Sequence, residues 1–244
     1  MLSSLIMALS LSGFFLEPAP AYIFRINASP DNTARMEGER YRPQPGDILL
    51  FDDHNTLSAK LYRTCGTAAP FHAGIVFRKQ DGTLASLEAG TNGVKKVFNF
   101  DLEPRLRGFD GTILVRRLRK SITPAQSKQL SEFAAAQEGK PYATGRLALQ
   151  TVPLRLRTAE YSRTFGKTVL DRDRWFCSEL VVAAGAVAGI WGVETYPANM
   201  MYPRDLCYDE HFDLSPYHEP PALWYPRAEL DRIGEGARVG HVKK

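Results

Sequence analysis

The chain is poor in cysteine, nearly balanced in charge and, past its first residues, without a long apolar run. Its 244 residues hold three cysteines, Cys65, Cys177 and Cys207. No two of them have the spacing of a zinc or redox motif, which excludes a disulfide scaffold and leaves each thiol to be judged by its neighbours. Lys and Arg number 31 against 27 Asp and Glu, a formal net charge of +4, too small an excess for the basic face of a nucleic-acid binder. With 44% hydrophobic and 24% charged residues, the composition excludes a disordered, collagen-like or polytopic membrane protein. The length suffices for one core that carries an insertion and needs no staple.

The uncharged segment from Leu2 to Leu16 is too short for a comfortable membrane span, and Ala19-Pro20-Ala21 follows it with small-x-small spacing. Residues 1–21 therefore read as a signal peptide, placing the protein in the periplasm or outside the cell, with an uncleaved N-terminal anchor as the alternative. Export would put Cys65 and Cys207 where they could pair.

Asn27 to Gln44 is polar and rich in Arg and Pro, so residues 22–40 are predicted to link the leader to a domain over 41–226. Pro45-Gly46 then opens the apolar run Asp47 to Phe51, a turn followed by a buried strand. Phe71 to Phe77 and Thr83 to Ala89 flank an Asp81-Gly82 turn and predict a hairpin. Thr112 to Leu118 predicts a further strand, its Arg116, Arg117, Arg119 and Lys120 expected at a solvated end that would suit an anionic lipid or cell-wall surface. Thr123 predicts a helix cap: Pro124 suits the first helical position, Gln126 completes a capping box, and Leu130, Phe133, Ala134 and Gln137 recur at helical spacing before Gly139. About 146–174 reads as a basic insertion. From Cys177 to Ala188 the sequence is apolar around nearly the whole helical circumference and predicts a core helix ended by Gly189. Residues 227–244 read as a tail.

Three residues carry chemistry. Cys177 stands at the predicted start of the buried helix, where unpaired N–H groups and the positive helix end favour a thiolate. On position alone the alternative, a small buried apolar residue, stays open. His72 lies in a strand and is followed by Ala73 and Gly74, small enough to leave room over the sheet. An isolated strand histidine is usually structural. Glu88, between Leu87 and Ala89, is an acid that a strand would bury only with a partner, and an imidazole would serve. An acid that orients a base beside a nucleophile is triad logic. The pairing register decides whether it can exist. A two-residue Asp81-Gly82 turn sends Glu88 to the face opposite His72, whereas a three-residue loop, Gln80 to Gly82, pairs Lys79 with Thr83 and puts Glu88 diagonal to His72 on one face. The latter is predicted.

The segments Pro45 to Phe51, Phe71 to Val76, Leu87-Glu88-Ala89, Gly139-Lys140-Pro141-Tyr142 and Phe176 to Val181 resemble the YiiX-like branch of NlpC-type papain-fold cysteine hydrolases, over roughly residues 41 to 210. In that branch the fold is circularly permuted, with the histidine strand before the cysteine helix, as His72 and Cys177 stand here. The resemblance implies an α+β fold, an antiparallel sheet packed on the buried Cys-bearing helix. It also implies Cys177 as nucleophile, His72 as base, Glu88 as its orienter and Tyr142 beside the oxyanion site. Pro203-Arg204-Asp205-Leu206 is similar to a family segment after the cysteine helix.

Asp52, Asp53 and His54, and the set Asp209, Glu210, His211, Asp213, His218 and Glu219, have metal-ligand chemistry without a recognised spacing, and remain unassigned. The expectation is a thiol hydrolase, or acyltransferase, that cleaves an amide or ester bond through an acyl-enzyme. Its substrate would be peptidoglycan peptide or an acylated small molecule or lipid, with no metal or organic cofactor and no nucleic-acid partner. Peripheral contact with membrane or cell wall fits the same reading. The contrasting expectation is a lipid- or peptide-binding module without turnover.

Overall fold

A computed structural model describes residues 21–28, 34–54, 67–90, 93–146, 168–209 and 211–226. The leader through residue 20, most of the expected insertion, the expected tail, Cys65 and Glu210 lie outside them. The described chain is α+β. Strands β1 (Ala21–Ala28), β2 (Ala34–Tyr41), β3 (Ile48–Asp52), β4 (His72–Arg78), β5 (Leu84–Ala89), β6 (Val97–Asp101), β7 (Thr112–Arg116) and β8 (Ala222–Pro226) form one sheet. Its order is β2-β1-β8-β7-β3-β4-β5-β6, and every paired neighbour runs antiparallel.

Residues 22–40 are therefore not a linker. They supply β1 and β2, which pair along their whole lengths, and β1 also pairs with β8. Polar composition is no bar to a strand when it lies at the sheet margin and the ladder satisfies its backbone groups.

The helices are α1 (Leu102–Arg107), α2 (Pro124–Gln137), α3 (Cys177–Val187) and α4 (Pro203–Cys207). Two apolar clusters sandwich the sheet. On one face Ile48, Leu50, Ala73, Ile75, Leu87 and Ala89 pack with Leu180, Val181 and Ala184 of α3 and Leu130 and Ala134 of α2. On the other, Leu49, Phe51, Val76, Ile113 and Val115 meet Leu102 and Leu106 of α1. Covered on both sides, β3 reads as an unbroken apolar run. At fully buried side chains such as Leu180, about 25 cal/mol per Å² of apolar area removed from water holds α3 in place.

The predicted helix cap is realised. Thr123 accepts from the Gln126 backbone N–H and the Gln126 side chain returns the bond, and Gly139 follows the helix at φ +79°. The hairpin has the three-residue register: Lys79 N–H donates to Thr83 O at 2.8 Å, and Gly82 sits at φ +87°, which glycine adopts at little cost. Asp81 Oδ1 also accepts from the Thr83 backbone N–H at 2.8 Å, closing the turn.

Arg116 departs from expectation. It is fully buried, not a solvated strand end. Asp209 holds it at 2.8 and 3.2 Å, and the Glu219 carbonyl accepts from its Nε at 3.0 Å. A buried guanidinium is tolerable when its donors are filled this way.

Candidate active site

The approach to Cys177 is fixed before α3 begins. Trp175 is fully buried; its indole N–H donates to Gln137 Oε1 of α2 at 2.9 Å, and its backbone bridges to Tyr142. Phe176 is the N-cap, so Cys177 is the first helical residue. One turn in, Glu179 is fully buried. It accepts from the Phe176 backbone N–H and is paired with Arg146 at 2.7 Å and Arg172 at 2.9 Å. Burial pushes its pKa up, against the pull of the two arginines. Ser178 Oγ donates to the Met201 carbonyl at 2.5 Å, tying the same turn to the segment before α4.

His72 is the first residue of β4, with its side chain 15% exposed, and it shares a sheet face with Glu88 across the hairpin. Gly74 lies directly opposite Glu88 in the register, and a Cβ there would stand 2.7 Å from Glu88 Cγ and 2.6 Å from Ser86 Oγ. The room predicted over Ala73 and Gly74 is thus filled at Gly74 by the Glu88 side chain crossing β4, while Ala73 packs under α3 on the other face. Glu88 Oε2 lies 2.8 Å from His72 Nε2. Because a carboxylate only accepts, Nε2 carries the proton, and Nδ1 is the ring nitrogen left for the Cys177 thiol, which hydrogen-bonds the imidazole. Burial would lower the His72 pKa, but the hydrogen bonds to Cys177 and Glu88 outweigh it and hold it at about 9. Glu88, although fully buried, is kept below the usual carboxylate range by His72 and by Arg105.

Arg105 is the residue that sequence reasoning missed. It comes from α1 on the Glu88 face of the sheet and grips the carboxylate side-on, Nε to Oε1 at 2.9 Å and Nη2 to Oε2 at 2.8 Å. Its guanidinium carbon lies 4.4 Å from the centroid of Phe51, whose ring also meets those of His72, at 5.6 Å, and Phe109, at 5.0 Å. A signal existed: Leu102, Arg105 and Leu106 fall at i, i+3 and i+4, so the arginine belongs to the apolar stripe of its helix. Glu179 was likewise legible as an acid in the first turn of an otherwise apolar helix.

The structure thus brings Cys177, His72 and Glu88 together. Tyr142 sits nearby: its ring packs over Gly90, two residues past Glu88, where a Cβ would come within 2.4 Å of it, and its backbone bridges to Trp175, two residues before Cys177. The unassigned acidic and histidine sets do other work. His54 contacts Thr112 Oγ1 at 3.1 Å and Asp52 at 3.4 Å. Asp209 holds Arg116, and Asp213 Oδ1 accepts from the Ser215 backbone N–H at 2.8 Å. Arg204 of α4 donates to the Ala69 carbonyl at 3.1 Å, linking that helix to the segment that leads into His72.

Among solved structures, one described as the metalloprotein yiiX from Escherichia coli O157:H7, DUF1105, is similar at 19% identity and a TM-score of 0.43, over 78% of this chain and 93% of that one. No protein-family model and no curated protein matches the chain.

Proposed function

We propose that the protein is a cysteine hydrolase with a permuted papain-like arrangement, cleaving an amide or ester bond through a thioester. The observation that carries this reading is the imidazole of His72 hydrogen-bonded at once to the Cys177 thiol and to the buried Glu88 carboxylate. The imidazole takes the thiol proton and leaves a thiolate at the start of α3. The thiolate adds to the carbonyl carbon, and the oxyanion is met by the Cys177 backbone N–H, with the Tyr142 hydroxyl as its partner. The tetrahedral adduct collapses as His72 returns the proton to the leaving nitrogen or oxygen, giving the acyl-enzyme. His72 then deprotonates water, which releases the acid and restores the thiol. An acceptor other than water would make the same site an acyltransferase.

Substrates consistent with an exported location are peptidoglycan peptides and acylated lipids or small molecules. The test is mass spectrometry of wild type and Cys177→Ala, incubated in separate arms with cell-wall fragments and with phospholipid or N-acyl compounds. A Cys177-dependent product, with an acyl mass added to the peptide containing Cys177, supports the reading and says which bond is cut. Saturable binding of one substrate set without product in either arm would replace it with the non-catalytic binding module.

A further inference from the structure

Glu88 has no exposed surface, and a carboxylate there stays ionised only with charged partners, of which the imidazole is one. Its counter-ion comes from a different layer of the molecule. Arg105 lies in α1, its side chain 5% exposed. Both carboxylate oxygens are taken by the guanidinium fork, which fixes the plane of the carboxylate and leaves Oε2 facing His72 Nε2. The fork is held in turn by aromatic rings, 4.4 Å from the Phe51 centroid, 5.2 Å from Phe109 and 5.3 Å from Phe100. Successive contacts lead from α1 to α3 through the guanidinium, the carboxylate, the imidazole and the thiol.

We propose that Arg105 is a positioning residue of this site, and that Glu88 and Arg105 orient His72 as a single, electrically neutral pair. The inference rests on Cys177 and His72 being nucleophile and base. A neutral pair gives the imidazole a directed acceptor without an uncancelled negative charge beside it, so His72 holds its proton firmly enough to form the ion pair and can still give it up.

The test is the pH dependence of Cys177 carbamidomethylation by iodoacetamide in wild type, Glu88→Gln, Arg105→Gln, Arg105→Lys and the Glu88→Gln/Arg105→Gln double variant, with thermal melting of each. The alkaline limb reports loss of the His72 proton. Arg105→Gln is expected to move that limb upward by about one pH unit, since the carboxylate is no longer cancelled, and Glu88→Gln to move it downward by a similar amount. The double variant should return it towards wild type, and Arg105→Lys should leave it in place. Glu88→Gln should also melt below the double variant, because it alone leaves a buried cation unpaired. A residue that only supported the fold would lower the melting temperature and leave the limb where it was, and that result for Arg105→Gln overturns the inference. Should Arg105→Gln not fold, a double variant that melts no higher than Glu88→Gln overturns it instead. If wild-type Cys177 shows no enhanced reactivity and no alkaline limb, it is the hydrolase reading that fails.

Discussion

At the scale of single residues, two cysteines of this chain are both buried but have different neighbours. Cys207 is a free thiol in α4, where burial pushes its pKa up to about 12, so it stays protonated and inert near neutrality. Cys177 has an imidazole against it. Under iodoacetamide at pH 7, peptide mass spectrometry should find Cys177 modified well before Cys207, and His72→Ala should slow the Cys177 reaction by about tenfold or more. Equal labelling in the folded protein would remove the case for an activated thiolate. A second residue-scale prediction concerns Gly74. Its φ is ordinary, so the constraint is space alone: an added methyl would sit 2.6 Å from Ser86 Oγ and 2.7 Å from Glu88 Cγ. Gly74→Ala is expected to cost about 1–3 kcal/mol of overpacking. It should also slow Cys177 labelling by pushing Glu88 off the imidazole. Urea unfolding beside the labelling rate checks both, and unchanged labelling would show that the crossing of β4 by Glu88 does not hold His72.

At the scale of elements, the start of α3 is held by Glu179, which gathers the Phe176 backbone N–H, Arg146 and Arg172. Removing one partner of a fully buried ion pair costs about 3–5 kcal/mol. Here the arginines are 35% and 20% exposed and can turn to water, so Glu179→Ala is expected to cost less, about 2 kcal/mol. Because Phe176 and Cys177 are adjacent, the same variant should slow Cys177 labelling while leaving the helix itself formed. Circular dichroism with the labelling rate separates the two effects. Normal labelling at reduced stability would confine Glu179 to a structural role.

For the whole molecule, two buried groups at the end of the sheet away from the site oppose each other in pH. Asp47 accepts from Tyr41 Oη at 2.9 Å and the Leu118 backbone N–H at 2.8 Å, yet burial still raises it from 3.8 to about 6. Its contribution is therefore fully present below pH 3.8 and lost as pH rises through 6. His218 donates from Nε2 to the Gly46 carbonyl at 2.9 Å, and burial lowers it from 6.5 to about 4. Its contribution is present above pH 6.5 and lost as pH falls through 4. Between pH 6.5 and 4 the two slopes have opposite signs. Asp47→Asn should therefore lose more stability than wild type on acidification across that window, and His218→Gln, which keeps the donor to Gly46, should lose less. Urea midpoints at pH 6.5 and 4.5 decide it; identical pH dependence in all three proteins would refute both assignments.

What the sequence determined by itself was local or periodic. The Thr123 cap and Gly139 stop are contacts within a few residues, the Cys177 helix announces itself by apolarity on every side, and the turn at Asp81-Gly82 together with an acid that needed a partner was enough to choose the register. That register brought His72 and Glu88 onto one face. Tertiary structure alone decided the rest. Arg105 lies 17 residues from Glu88 and Cys177 lies 105 from His72, so their meeting depends on how α1 and α3 dock on opposite faces of the sheet. Residues 22–40 and Arg116 read as solvated because charge and polarity are counted in sequence without their partners. The ladder to β8 and the carboxylate of Asp209 exist only once the chain has folded, and paired backbone and paired charge are what make such segments affordable inside a sheet.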